Sequence, residues 1–188
     1  MEDQIIDRGG NCVIYKSSAW GPAVPYKAIV HDDGGQNHGF VDLTVDSERN
    51  STVPEALGRP GLVDALKVLN GPNGKLMSLG CENGVFESDL PDGMPKIYIG
   101  SYIDLCFRNG DMNGGEQILT LARTIATARA KAPWTQFELG IERLPIFFGR
   151  KGLLGLNLRS CVYADEETTG WERFNEEMRA LAAVFEQL

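Results

Sequence analysis

Phe137-Glu138-Leu139-Gly140-Ile141-Glu142 alternates apolar residues with polar or small ones. Period-two alternation is the signature of a strand with one buried face and one wet face. The reading places Phe137, Leu139 and Ile141 in a core, and Glu138 and Glu142 together on a solvated side. A strand followed by a second apolar run, Leu153–Tyr163, reached through Gly149-Arg150-Lys151-Gly152, predicts an antiparallel pair.

Outward from this pair the pattern changes period. Trp171, Phe174, Met178, Leu181, Phe185 and Leu188 recur at three-and-four spacing, which predicts a core-facing helix over Thr169–Leu188. Upstream, Ile118, Leu121, Ala122 and Ile125 predict a middle helix ending near Lys131, before Pro133. Asn113 is its expected cap, and Glu116 its capping-box acid. A shorter helix is expected over Pro60–Leu69, opened by its proline and stopped by Asn70-Gly71-Pro72-Asn73-Gly74.

Strands are expected at Asn11–Lys16, Tyr26–His31, Gly39–Val45, Lys75–Leu79, Gly84–Glu87 and Lys96–Phe107, with Gly100 bending or bulging the last. Asn83-Gly84 and Pro91-Asp92-Gly93 read as turns between them. Grouped strands without strict alternation of strand and helix predict an α+β fold. Its mostly antiparallel sheet is packed by a middle helix and a C-terminal helix, in a single domain spanning 1–188.

Composition supports a folded chain. With 188 residues, 43% hydrophobic and 9% aromatic, it holds enough apolar side chains to build a core, which disordered chains lack. The net charge of −8 opposes general nucleic-acid binding, which requires an excess of lysine and arginine. That charge is uneven. Residues 1–50 hold eight acids against four bases, and residues 165–188 hold seven against two. The middle of the chain is almost balanced. No apolar run is long enough to span a membrane, and the opening Met1-Glu2-Asp3-Gln4 lacks a signal-peptide pattern. Cys12, Cys81, Cys106 and Cys161 form no C-x-x-C pair and read as reduced thiols, so a cytoplasmic setting is expected.

Catalytic motifs are missing: no G-x-S-x-G, no P-loop, no G-x-G-x-x-G and no H-E-x-x-H. The loop His31-Asp32-Asp33-Gly34-Gly35-Gln36-Asn37-His38 offers two imidazoles and two carboxylates. Its spacing matches no standard metal site, and its residues are ordinary turn formers, so no metal or cofactor is expected. Glu138 and Glu142 would stand about 13 Å apart along a strand, too far for a glycosidase pair. Arg150 and Lys151 between glycines resemble a phosphate loop but suit an exposed hairpin equally. Cys81 and Cys106 have no neighbouring base in sequence to make them nucleophiles.

These readings lead to a non-enzymatic, acidic protein-binding domain, most concretely an inhibitor such as a bacterial immunity protein that covers the basic site of a cytosolic toxin. The expected contact residues are Asp165, Glu166, Glu167, Glu172 and Glu176, with Asp32 and Asp33 in second place. The alternative is a small hydrolase or transferase working from the His31–His38 loop.

Overall fold

The computed structural model describes residues 3–30, 36–91 and 93–188. The elements run β1 (Gln4–Gly9), β2 (Cys12–Trp20), β3 (Ile29–Val30), β4 (Gln36–Asn37), α1 (Pro60–Asn70), β5 (Leu76–Glu87), β6 (Ile97–Phe107), α2 (Gly115–Arg129), β7 (Thr135–Leu144), β8 (Leu153–Ala164) and α3 (Glu167–Phe185). Six strands form one sheet in the order β1-β2-β7-β8-β6-β5, and β3 and β4 pair separately. Every pairing in the large sheet is antiparallel except β2 with β7, which is parallel. The fold is therefore α+β, as the grouped strands imply.

All three helices lie on one face of the sheet. Phe137, Leu139 and Ile141 of β7, with Leu156, Leu158 and Val162 of β8, meet Ile118 and Ile125 of α2 and the α3 stripe. Phe174, Met178 and Leu181 of that stripe are fully buried. Each such side chain contributes about 1.5–3 kcal/mol relative to exposure, so α3 is held by its stripe more than by helix propensity. Helices α1 and α3 approach closely at Gly61, whose N–H donates to Asn175 Oδ1 at 2.9 Å. A Cβ at Gly61 would stand 2.2 Å from the Asn175 carbonyl oxygen, so only glycine permits this spacing.

Polar groups fix the helix ends. Arg108 donates from Nε to the Leu76 carbonyl (2.6 Å) and from Nη2 to the carbonyls of Leu69 (3.0 Å) and Gly71 (2.5 Å). It satisfies the C-terminal end of α1, where a cation is favoured. Asn70, buried at the same end, donates to the Leu66 carbonyl and accepts from the Ser78 N–H, which ties α1 to β5.

Several local expectations are corrected. Gly39–Val45 is not a strand. Gly39 sits at φ +81°, and Asp42 Oδ1 accepts from both the N–H and the hydroxyl of Thr44, which closes a local turn. Asn83-Gly84 does not turn: β5 runs through it, and Gly84 faces Gly100 across the β5–β6 pairing. Gly100 carries no bulge, since the irregularity falls between Ser78 and Gly80. Asn113 does not cap α2. Its buried amide accepts from the Phe107 N–H (2.8 Å) and donates to the Phe107 carbonyl (2.9 Å), while Gly114 occupies the cap position.

The opposite face of the sheet is covered at one end only. There Val24, Met77, Leu79, Cys106, Leu144 and Phe147 form a second, smaller core. The remainder of that face is open.

Candidate functional site

The cross-strand pairings set the layout of the open face. Side chains on one face recur every second residue, so Tyr98, Gly100, Tyr102 and Asp104 of β6 lie beside Tyr163, Cys161, Arg159 and Asn157 of β8. On β7, Gln136, Glu138 and Gly140 continue those rows. On the far side, Phe86, Gly84 and Glu82 of β5 complete them.

At the centre lies a hydrogen-bonded relay. Arg159 Nε donates to Asn157 Oδ1 at 2.7 Å, and Asn157 Nδ2 donates to Asp104 Oδ1 at 2.6 Å. Asn157 is buried, so this bonding uses both ends of its amide and fixes its orientation. Burial pushes the Asp104 carboxyl up to about 6, against the Asn157 hydrogen bond and the Arg159 charge, which act the other way. Beside it Tyr15 lies across Gly140, where a Cβ would meet the tyrosine oxygen at 2.9 Å.

Glu142 overturns the expectation of a shared wet face. Glu138 is exposed, but Glu142 is 7% exposed. The chain leaving β2 covers it: a Cβ at Gly21 would stand 3.0 Å from Glu142 Oε2. Burial, and next the Asp104 charge, push the Glu142 carboxyl up to about 7, with Arg159 opposing. Burial thus holds both the Asp104 and the Glu142 carboxyl groups above the ordinary carboxylate range.

Two clefts open from this face. One, of about 510 Å³, is lined by Arg8, Arg159, Glu138, Gln136, Phe86 and Tyr98 among others. The other, of about 840 Å³, includes Tyr26, His38, Glu55, Cys81 and Asp104. Glu82 and Tyr102 border both. Asn157 therefore joins an arginine of one cleft to a carboxyl group of the other. In the first cleft Phe86 stacks on Tyr98, with ring centroids 5.3 Å apart and planes at 19°. Its ring also lies over Gly84 and Gly100, which explains two glycines facing each other inside a long pairing.

Burial disfavours the thiolate form of the cysteines. All four are free, and burial pushes Cys12 to about 11, Cys81 to about 12 and Cys106 to about 12; Cys161 is raised by the same cause. Arg150 of the glycine-flanked basic pair is held by Asp111 at 2.6 Å, in a turn closed by Phe147 and Arg150. His31, Asp32 and Asp33 lie outside the described residues, and His38 is exposed. Among the described residues no group of three or more His, Cys, Asp or Glu side chains could hold a metal.

Asp165, Glu166, Glu167, Glu172 and Glu176 are all exposed, at the start of α3 and along its outer side. Glu167 accepts from Trp171 Nε1 at 3.0 Å. Arginines are interleaved with these acids. Arg59 stacks on Trp171 at 3.4 Å, and Arg173 stacks on Trp134 while donating to the Tyr163 carbonyl. Glu177, the next acid along, is buried against Arg129 and unavailable at the surface.

Sequence reasoning missed Asp104, Asn157 and Arg159, which stand on two different strands and meet only across a pairing. The one available signal was a polar residue at every second place in each run, at Tyr102 and Asp104 and again at Asn157 and Arg159. No protein-family model, curated protein or solved structure matches the chain. No helix among the described residues is long and apolar enough to cross a membrane.

Proposed function

We propose that the chain is a non-enzymatic protein-binding domain, in its most concrete form an inhibitor of the bacterial-immunity kind acting in the cytoplasm on a partner with a basic surface. One observation carries the reading. The five carboxylates at Asp165, Glu166, Glu167, Glu172 and Glu176 are exposed, and among the described residues none of them closes an ion pair. Their field is left for a partner, where it speeds encounter and disfavours acidic competitors. Asp32 and Asp33 keep their second place in this proposal.

The test begins with recovery of a stoichiometric partner from the native host, purification of both proteins, and stopped-flow association at several ionic strengths. Reversing charge at Glu166, Glu167 and Glu172 to lysine is expected to slow association about tenfold and flatten its salt dependence, with the fold intact. Equal rates for the natural chain and the reversed variant, or repeated recovery of the protein alone, would overturn the reading.

A further inference from the structure

Arg159 and Glu138 stand directly opposite each other across the β7–β8 pairing, on the open face, yet they close no ion pair. Arg159 donates from Nε to Asn157, itself anchored to Asp104, and among the described residues its two terminal amino groups make no hydrogen bond or ion pair, while its side chain lines the 510 Å³ cleft. We infer that the 510 Å³ cleft over Gly84 and Gly100 binds a free α-amino acid with an apolar or aromatic side chain, its carboxylate on Arg159 and its ammonium group on Glu138.

Three features select this ligand class. The cleft is lined by two cations, Arg8 and Arg159, and two carboxylates, Glu82 and Glu138. A balanced lining disfavours a pure anion or a pure cation and matches a molecule carrying both charges. Directly paired residues on antiparallel strands hold their Cβ atoms about 5 Å apart, so two opposite charges on one ligand carbon can reach both side chains. Arg159 presents a planar fork, the geometry that grips a carboxylate with two parallel bonds.

A further feature is the wall. Phe86 is 50% exposed, and its ring leans from its own row over Gly84 and Gly100, the row next to Arg159. One row is about 6–7 Å along a strand, the reach of a leucine or phenylalanine side chain extending from a carboxylate held at Arg159. The cleft volume lies within the range of small-molecule sites. It faces away from the helix layer that carries the acidic start of α3, so the inference stands independently of the protein-binding reading.

Calorimetric titration of the intact protein with L-phenylalanine, L-leucine, 3-phenylpropionate and phenethylamine decides it. The two amino acids are expected to bind one to one, and 3-phenylpropionate and phenethylamine, each lacking one charge, at least about tenfold more weakly. Arg159→Gln and Glu138→Gln are each expected to weaken L-phenylalanine binding about tenfold or more; both side chains are exposed, so melting temperature serves as the control for folding. Amide resonances of Gly100 and Cys161 should shift on binding. No binding by either amino acid at millimolar concentration, equal affinity for 3-phenylpropionate, or full affinity in Arg159→Gln would overturn the assignment. Stronger binding of L-lysine or L-glutamate than of L-phenylalanine would overturn the role of the aromatic wall.

Discussion

Arg129 of α2 and Glu177 of α3 are joined by two parallel bonds, Nε to Oε1 at 2.6 Å and Nη2 to Oε2 at 2.8 Å, with Glu177 only 4% exposed. The hydroxyl of Thr135, at the head of β7, is shared between the Pro133 carbonyl at 3.2 Å and the same carboxylate at 3.4 Å. One buried ion pair thus connects two helices and the central sheet, beneath the strand on which Glu138 and Glu142 stand.

Breaking the pair from the arginine side leaves the buried carboxylate without its partner. Arg129→Ala is expected to lower unfolding free energy by about 3–5 kcal/mol. The double replacement Arg129→Met with Glu177→Leu is expected to lose less, because no stranded charge remains. Urea denaturation of the two variants beside the natural chain measures both.

Glu142 makes stability depend on pH in a defined direction. Its carboxyl loses its proton near 4.5 in the unfolded chain and near 7 in the fold. Between those values the folded state holds the extra proton, so stability falls as pH rises from about 4.5 to 7 and levels off above. Asp104, raised from 3.8 to about 6, acts in the same sense at slightly lower pH. Glu142→Gln removes the larger part of the slope. Above pH 7 the variant is expected to exceed the natural chain by on the order of 2 kcal/mol. Denaturation midpoints at pH 5 and pH 8 give the comparison, and an unchanged slope in Glu142→Gln would refute the assignment.

Gly61 sets the distance between α1 and α3. An added methyl group would fall 2.2 Å from the Asn175 carbonyl oxygen and 2.6 Å from its Cα, both rigid backbone atoms. Gly61→Ala, normally a stabilising change in a helix, is here expected to cost about 1–3 kcal/mol. Thermal unfolding followed by circular dichroism should show the loss, with helix content retained.

Elements governed by one period were legible from sequence. The α3 stripe from Trp171 to Phe185 repeats at helical spacing and packs as a face, and β7 and β8 fall where their alternation placed them. β1 was not legible, because Gln4–Gly9 is exposed along its whole length and shows no contrast between faces. The relay was hidden for another reason: Asp104 and Asn157 are 53 positions apart and become neighbours only through strand pairing. Glu142 looked solvated because alternation describes one strand and says nothing of the segment around Gly21 that closes over it. Asn113 had the composition of a helix cap, but the Phe107 backbone competed for the same amide and won it.

The parallel contact between β2 and β7 carries a kinetic consequence. Asn11, in the turn just before β2, donates from its side chain to the Thr135 carbonyl 124 positions away, and the hairpin of β1 and β2 joins the sheet through β7 alone. Closing so long a loop costs chain entropy before any contact offsets it, whereas β5 with β6 and β7 with β8 are joined by short connections. The hairpin is therefore expected to dock after the pairings of β5 with β6 and of β7 with β8. Until it docks, the edge of β7 stands open, and the face that holds Glu138 lacks its outer wall of Val13 and Arg8. In that order of assembly, the docking of the hairpin completes the cleft, whose lining includes Arg8 and Val13.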